Sequence, residues 1–144
     1  MLQTNQKDYN KTEYIALYCR VATMNQQADD LLIEAQKQRL MEWASQHEYK
    51  SDQVDIILEI GFSGRTLNRL GIQQIFSGPR KYAVVVAVKS TRFCRDSALL
   101  DKLIDMAEVR GTVLYSLDFP VSLNQERRKM AMISDALLKG GAAK

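Results

Sequence analysis

Two hydrophobic rhythms alternate along the chain. Residues 14–21 (YIALYCRV) are apolar and rich in strand formers, so they predict a first strand. Residues 25–49 follow a helical period, with Leu32, Ile33, Leu40, Trp43, Ala44 and His47 on one arc of a wheel turned ~100° per residue. Gln36 falls inside that arc, so it needs a buried partner or faces a site. Residues 54–58 (VDIIL) predict a second, short strand, and residues 59–69 (EIGFSGRTLNR), with two glycines and small polar residues, a loop. A short helix is expected over 70–76, ended near Gly78-Pro79.

Residues 82–88 (YAVVVAV) are apolar without a break, as in a parallel strand covered on both faces. Asp96 is suited to cap the next helix, Leu99, Leu100, Leu103 and Ala107 form its core stripe, and Gly111 stops it. Residues 112–117 (TVLYSL) predict a fourth strand. Ser122 with Gln125 makes a capping box for a last helix to about residue 138, before Gly140-Gly141, with Met130, Ile133 and Leu137 on one side. The order βαβαβαβα predicts an α/β fold: a single three-layer domain with a mainly parallel sheet of four to five strands, right-handed crossovers and a C-terminal helix. Residues 1–13 read as a polar tail and 14–144 as the domain. Ligands of such sheets bind beyond the carboxyl ends of the strands.

Bulk properties narrow the classes. A chain of 144 residues suits one domain that buries ~70% of its surface. No apolar run approaches the ~20 residues of a membrane helix, and the first residues lack the apolar core of a signal peptide, so a cytoplasmic protein without membrane contact is expected. Cys19 and Cys94 lack CxxC spacing and His47 is the single histidine, so no disulfide framework, metal site or Cys–His chemistry is expected. A net charge of +3 with pI near 8.9 is weakly basic, and it points to nucleic acid only if arginines converge on one place.

The strand ends supply that convergence. The first offers Arg20 and Thr23, the second leads to Ser63-Gly64, Arg65 and Arg69, and the third to Lys89, Arg92 and Arg95. Arginine carries a planar fork of donors that stays charged, and several together suit a phosphate better than a carboxylate. Scattered surface charge is the other reading of the same residues.

The motifs in which these arginines sit form a pattern. The run Tyr18-Cys19-Arg20-Val21-Ala22-Thr23 resembles the Y-x-R-V-S-T motif that opens serine recombinases of the resolvase/invertase type, and Gln26, Gln27 and Gln36 fall where that family has glutamines. Gly61-Phe62-Ser63-Gly64, with Arg69 five residues beyond, resembles the G-x-S-G loop and its arginine. Lys89-Ser90-Thr91-Arg92-Phe93-Cys94-Arg95-Asp96 resembles the K-x-D-R-L-x-R-D segment. The three motifs keep the family's order and spacing across residues 14–117.

The resemblance implies a resolvase-like (flavodoxin-like) domain acting in site-specific DNA recombination or integration, often within mobile elements. In that family a serine attacks a DNA phosphodiester to give a 5′-phosphoserine link, four subunits exchange strands, and no metal or cofactor is used. By motif position Arg20, Arg69, Arg92 and Arg95 are catalytic phosphate-binding residues. Ser63, Arg65 and Lys89 join the DNA-phosphate set, with Gln36 helping to order the site. DNA is the implied partner, with a homodimer or higher homo-oligomer. The helix after the final strand carries much of the family's subunit contact, which suits Met130, Met132, Ile133 and Leu137; core packing is the other use for that stripe.

Three positions depart from the pattern. Ala22 stands at the nucleophile, and alanine has no oxygen with which to attack phosphorus. Thr91 replaces an aspartate, and Glu59 replaces the aspartate before the G-x-S-G loop. Thr23, Cys19 and Ser63 are weak substitutes for the missing serine. No helix-turn-helix or zinc ribbon follows in the sequence, so a catalytic domain without a C-terminal DNA-recognition domain is expected. Four readings follow: a degenerate domain that keeps its phosphate grip, an active domain disarmed by Ser-to-Ala at 22, a non-enzymatic partner of active recombinases, or an unrelated flavodoxin-like nucleotide binder. The lack of a Gly-rich phosphate loop after Val21 weighs against the last.

Overall fold

In the computed structural model, residues 13–21, 26–60 and 69–142 are described, with side chains of 26–30 and 139–142 left aside. Strand β1 (Ile15–Val21) is central because all seven of its residues are buried. It pairs in parallel with β2 (Val54–Ile60) on one side and β3 (Val84–Ala87) on the other, and β4 (Val113–Ser116) pairs in parallel with β3. The sheet order is β2-β1-β3-β4, four strands among the described residues and all parallel. This is the expected three-layer α/β architecture, at the lower end of the strand count.

Helices fill both faces. Helix α1 (Gln26–Gln46) covers one face, where Ile15, Leu17, Cys19 and Val21 of β1 meet Ile33, Leu40 and Ala44. Helices α2 (Leu70–Ser77) and α4 (Ser97–Arg110) cover the other, where Ala16 and Tyr18 meet Ile72, Ile75, Leu103, Ile104 and Ala107. The strict alternation along β1 follows from the period of two in a strand. Each Leu, Ile or Val buried in these layers contributes ~1.5–3 kcal/mol, so two filled faces hold β1 firmly.

Several boundaries differ from the sequence expectation. Strand β2 runs on through Glu59 and Ile60, which were expected in a loop; Glu59 stays in the strand because its carboxylate has buried partners. Strand β3 is shorter than the apolar run 82–88, with Tyr82 outside it and its hydroxyl on Asp55. Residues Ser90–Phe93 form a short helix, α3, that no periodicity signals in four residues. Leu32 of α1 and His47, just past its end, lie outside the core; His47 is exposed and stacks on Trp43 at 4.2 Å. Asp96 caps α4 by accepting from Ala98 N and Leu99 N, and Gly111 closes it with φ 74°.

The last helix, α5 (Leu123–Ala142), does not stop at 138 but continues through Gly140 and Gly141. Ser122 Oγ accepts from Gln125 N at 3.0 Å at its start. Arg127 ties the first turns to α4 through Asp101 O at 2.9 Å and Asp105 Oδ1 at 2.7 Å. From Lys129 to Leu138 every residue is exposed, so Met130, Ile133 and Leu137 face away from the domain core rather than into it. No helix among the described residues is long and apolar enough to cross a membrane.

Candidate functional site

Parallel strands place all their carboxyl ends on one edge, and that edge gathers Arg20, Glu59 and the segment after β3. Alternation along β1 puts Arg20 on the same face as Tyr18, the face covered by α2 and α4. Arg20 is a buried cation, 2% exposed. Its Nε donates to Arg92 O at 2.7 Å and its Nη2 to Thr91 O at 2.8 Å. Arg92 Nη1 donates back to Arg20 O at 3.2 Å. This reciprocal pair holds the α3 turn against the end of β1. It uses the carbonyl of Thr91, so the side chain at 91 does not enter this contact.

Gln36 serves the same residue from the opposite layer. Its amide accepts from Arg20 N at 3.2 Å and donates to Arg20 O at 3.3 Å. The polar residue on the apolar arc of α1 therefore has its buried partner, the backbone at the mouth of the site. At 4% exposure, it orders the chain from behind.

Arg69 enters from the start of α2 and is 1% exposed. Its Nη2 donates to the carbonyl of Phe93, its guanidinium lies 5.9 Å from the Tyr18 ring centre, and its Nε is 3.8 Å from Glu59 Oε1. Glu59 also accepts from Tyr18 Oη at 2.6 Å and from Gly71 N at 2.6 Å. Phe93 stacks on Tyr18 at 5.6 Å, closing the ring of contacts. A buried ion pair is tolerable when its remaining lone pairs and protons are satisfied. The Glu59 carboxylate meets that condition; the guanidinium does not, because Arg69 Nη1 and Nε are buried without a hydrogen-bond partner. Arg92 Nε is in the same position.

The electrostatics show convergence. Burial pushes the Arg20 guanidinium below its ordinary value, and the charges of Arg69, Arg92 and Arg95 push the same way. Cations from two other segments therefore act on Arg20. Burial, reinforced by the Glu59 hydrogen bond, holds the Tyr18 phenol well above its ordinary value, so it remains a neutral donor. Arg95 and Lys89 lie exposed outside the buried pair.

Ala22, Thr23, Ser63, Gly64 and Arg65 lie outside the described residues, as do the side chains of Gln26 and Gln27. Cys19 is on the α1 face of β1, buried on the side of the sheet away from Arg69. Cys94 is closer, with Sγ 3.9 Å from Arg69 Nη2; burial raises its thiol against the pull of Arg69 and Arg20. Sequence reasoning did not give structural roles to Glu59, Tyr18 or the carbonyls of Thr91 and Phe93. A carboxylate between Leu58 and Ile60 in an apolar run was the available signal for Glu59. Main-chain carbonyls leave none.

Comparison with known proteins gives a consistent picture. The family model described as Resolvase, N terminal domain, matches residues 15–138. The fold is similar to the N-terminal catalytic domain of TP901-1 integrase, with TM-score 0.71 and 21% identity, covering 89% of this chain and 98% of that one. It is also similar to a resolvase family site-specific recombinase from Streptococcus pneumoniae, with TM-score 0.63 and 21% identity over 92% and 94% of the two chains. The C-terminal catalytic domain of ISC1926 TnpA, an IS607-like serine recombinase, matches with TM-score 0.60 and 20% identity over 90% and 83%. No curated protein sequence matches the chain closely enough to count as a relative.

Proposed function

Because the chain belongs to the resolvase family, whose members are serine recombinases, we propose that its arginine edge grips a phosphate of the DNA backbone without cutting it by the family's route. The observation that carries this reading is geometric: Arg20, Arg69 and Arg92 meet at one sheet edge, and Arg69 Nη1 and Arg92 Nε are buried there without a hydrogen-bond partner among the described residues. Clustered cations of this kind are stable when an anion joins them. Arg92 and Arg95, with Lys89, meet the phosphate from the outer side. Arg20 and Arg69 supply field from beneath, and Gln36 and Glu59 hold them in place. Ser63 and Arg65 belong to the same set by motif position. Ala22 leaves the site without an attacking oxygen, so no phosphoserine link forms. Residues 14–144 are the phosphate-binding domain in this reading, with 1–13 as its tail.

Duplex DNA binding read by fluorescence anisotropy, with a denaturing gel for covalent adducts, tests it. The expected result is weak, salt-sensitive binding, ~10⁻⁴ to 10⁻⁶ M, without adduct. Loss of that binding in Arg92→Gln with Arg95→Gln supports the assignment; equal binding in that variant overturns it. Ala22→Ser separates the two accounts of position 22, because an otherwise competent site gains an adduct and a degenerate one does not.

A second reading rests on α5. Its exposed stripe of Met130, Ile133 and Leu137 suits a helix of another subunit, either a second copy or an active recombinase that this chain regulates. Met130→Asp with Ile133→Asp is expected to abolish such assemblies in sedimentation, and normal association of that variant places the contact elsewhere.

A further inference from the structure

The sheet has two edges, and they are finished differently. Along β4 the carboxamide of Asn124 accepts from Leu114 N at 2.9 Å and donates to Thr112 O at 3.3 Å, as a neighbouring strand would. That edge is also only four residues long. The opposite edge is β2, seven residues (VDIILEI) whose strand partner among the described residues is β1. It carries no proline or lysine, and its two charged residues, Asp55 and Glu59, are turned to the other face and held there by partners. On its α1 side Ile56, Leu58 and Ile60 are 37%, 46% and 47% exposed. A long edge strand with an exposed apolar face is a template for another strand.

We propose that β2 pairs antiparallel with β2 of a second copy, about a two-fold axis through Leu58, joining two sheets into one. The occupant is a second copy because the strand is complementary to itself in that register. Leu58 falls opposite Leu58, Ile56 opposite Ile60, and Ile57 opposite Glu59, so the outward face is a row of apolar side chains and no carboxylate opposes another. Centring the axis on Ile57 instead sets Asp55 against Glu59, like charges whose direct opposition destabilises a strand pair. Both carboxylates are already engaged on the other face, Asp55 by Arg80 and Tyr82, Glu59 by Tyr18, Gly71 and Arg69. Met41 of α1 widens the patch, exposed beside Ile56 in a groove shared with Ala44, Tyr49 and Val54. A strand edge with one adjoining helix residue is a modest surface, so a concentration-dependent dimer is expected. The contact uses none of the arginines of the phosphate grip and lies across the sheet from α5.

Cysteine pairing in the full chain tests the register. Directly opposed residues hold their Cβ atoms ~4.5–5.5 Å apart, which a disulfide can bridge with little adjustment. Under mild oxidation Leu58→Cys is expected to form a covalent dimer about tenfold faster than Ile56→Cys or Ile60→Cys alone, a 1.4 kcal/mol advantage. Mixing the Ile56→Cys and Ile60→Cys chains should yield the heterodimer. The wild-type chain is the background control, since Cys19 and Cys94 are buried. Sedimentation is run in parallel on Met130→Asp with Ile133→Asp, which removes any contribution from α5. That chain should still dimerise, and adding Leu58→Lys should weaken the dimer by about tenfold or more, with unfolding temperature as the check on folding. Equal cross-linking rates at 56, 58 and 60, or a monomer throughout the concentration series before Leu58 is changed, overturns the proposal.

Discussion

The carboxylate of Glu59 accepts the backbone N–H of Gly71 at 2.6 Å, and a β-carbon at position 71 would stand 2.8 Å from Glu59 Oε1. The two residues are fitted to each other. Glu59 is one methylene longer than aspartate, and it reaches the first turn of α2 because position 71 carries no side chain. The contact joins the end of β2 to the segment that presents Arg69. It also keeps Glu59 turned toward Tyr18 and the guanidinium.

Gly71→Ala should therefore destabilise the fold by ~1–3 kcal/mol, the range for overpacking, although alanine in a helix normally stabilises over glycine by ~1 kcal/mol. The end of a flexible side chain can often move aside, but this one is held by Tyr18, Gly71 and Arg69. Adding Glu59→Asp shortens the obstructing group and should recover part of the loss. Urea unfolding of the single and double variants measures both effects, and a stabilised Gly71→Ala chain would show that Glu59 swings freely.

Arg20→Lys keeps the charge and loses the fork. Lysine cannot donate along the directions that now reach Arg92 O and Thr91 O together. The expected cost is ~1.5–3 kcal/mol in stability, as for hydrogen bonds to charged groups. DNA affinity should also fall, because the α3 turn that carries Arg92 comes loose. Anisotropy titrations checked against unfolding curves separate the two losses; unchanged binding would mean the turn holds itself.

Asn124→Ala removes the cap on the β4 edge and leaves Leu114 N and Thr112 O buried without that partner. Each orphaned group costs ~1–3 kcal/mol, so a loss near the upper end of common single substitutions is expected. Amide hydrogen exchange at Leu114 should quicken selectively. If protection there is unaltered, water has replaced the carboxamide at little cost.

Alkaline pH should weaken the fold in steps. Burial pushes the Cys19 thiol from its ordinary 9 to about 11. Burial and the Asp55 hydrogen bond push the Tyr82 phenol from 10 to about 12. Both groups are raised, so the folded chain keeps protons that the unfolded chain releases. Their contribution is complete below pH 9 for Cys19 and below pH 10 for Tyr82, and it is lost as pH rises through the folded values. The urea midpoint should fall from about pH 9 to about pH 12, and Cys19→Ala should flatten the first part of that fall. A midpoint that holds level across the range contradicts the burial argument.

Much of the fold was legible because each signal was local and repeated. The unbroken apolar run before Lys89 implies burial on two faces, which in turn implies a parallel sheet between helix layers. Asp96 and Gly111 bracket α4 with the polar cap and left-handed residue that helix ends require. Misread boundaries had long-range causes. Glu59 looks like a loop residue until Tyr18 and Gly71, far away in sequence, are seen to satisfy it. The stripe of α5 has the spacing of a core face, but its period does not say whether the domain lies against it.

By itself, the sequence determined the α/β order, the carboxyl edge as the place for arginines, the family motifs and the alanine at 22. These depend on residue type and spacing along one chain. The tertiary structure decided which cations converge, that Arg20 is anchored on the carbonyls of Thr91 and Arg92, that Gln36 secures its backbone, and that one sheet edge is capped while the other is not. Those facts depend on distances between segments tens of residues apart. Hydrogen bonds to main-chain carbonyls and the exposure of a strand face leave no mark on residue type, so packing alone sets them.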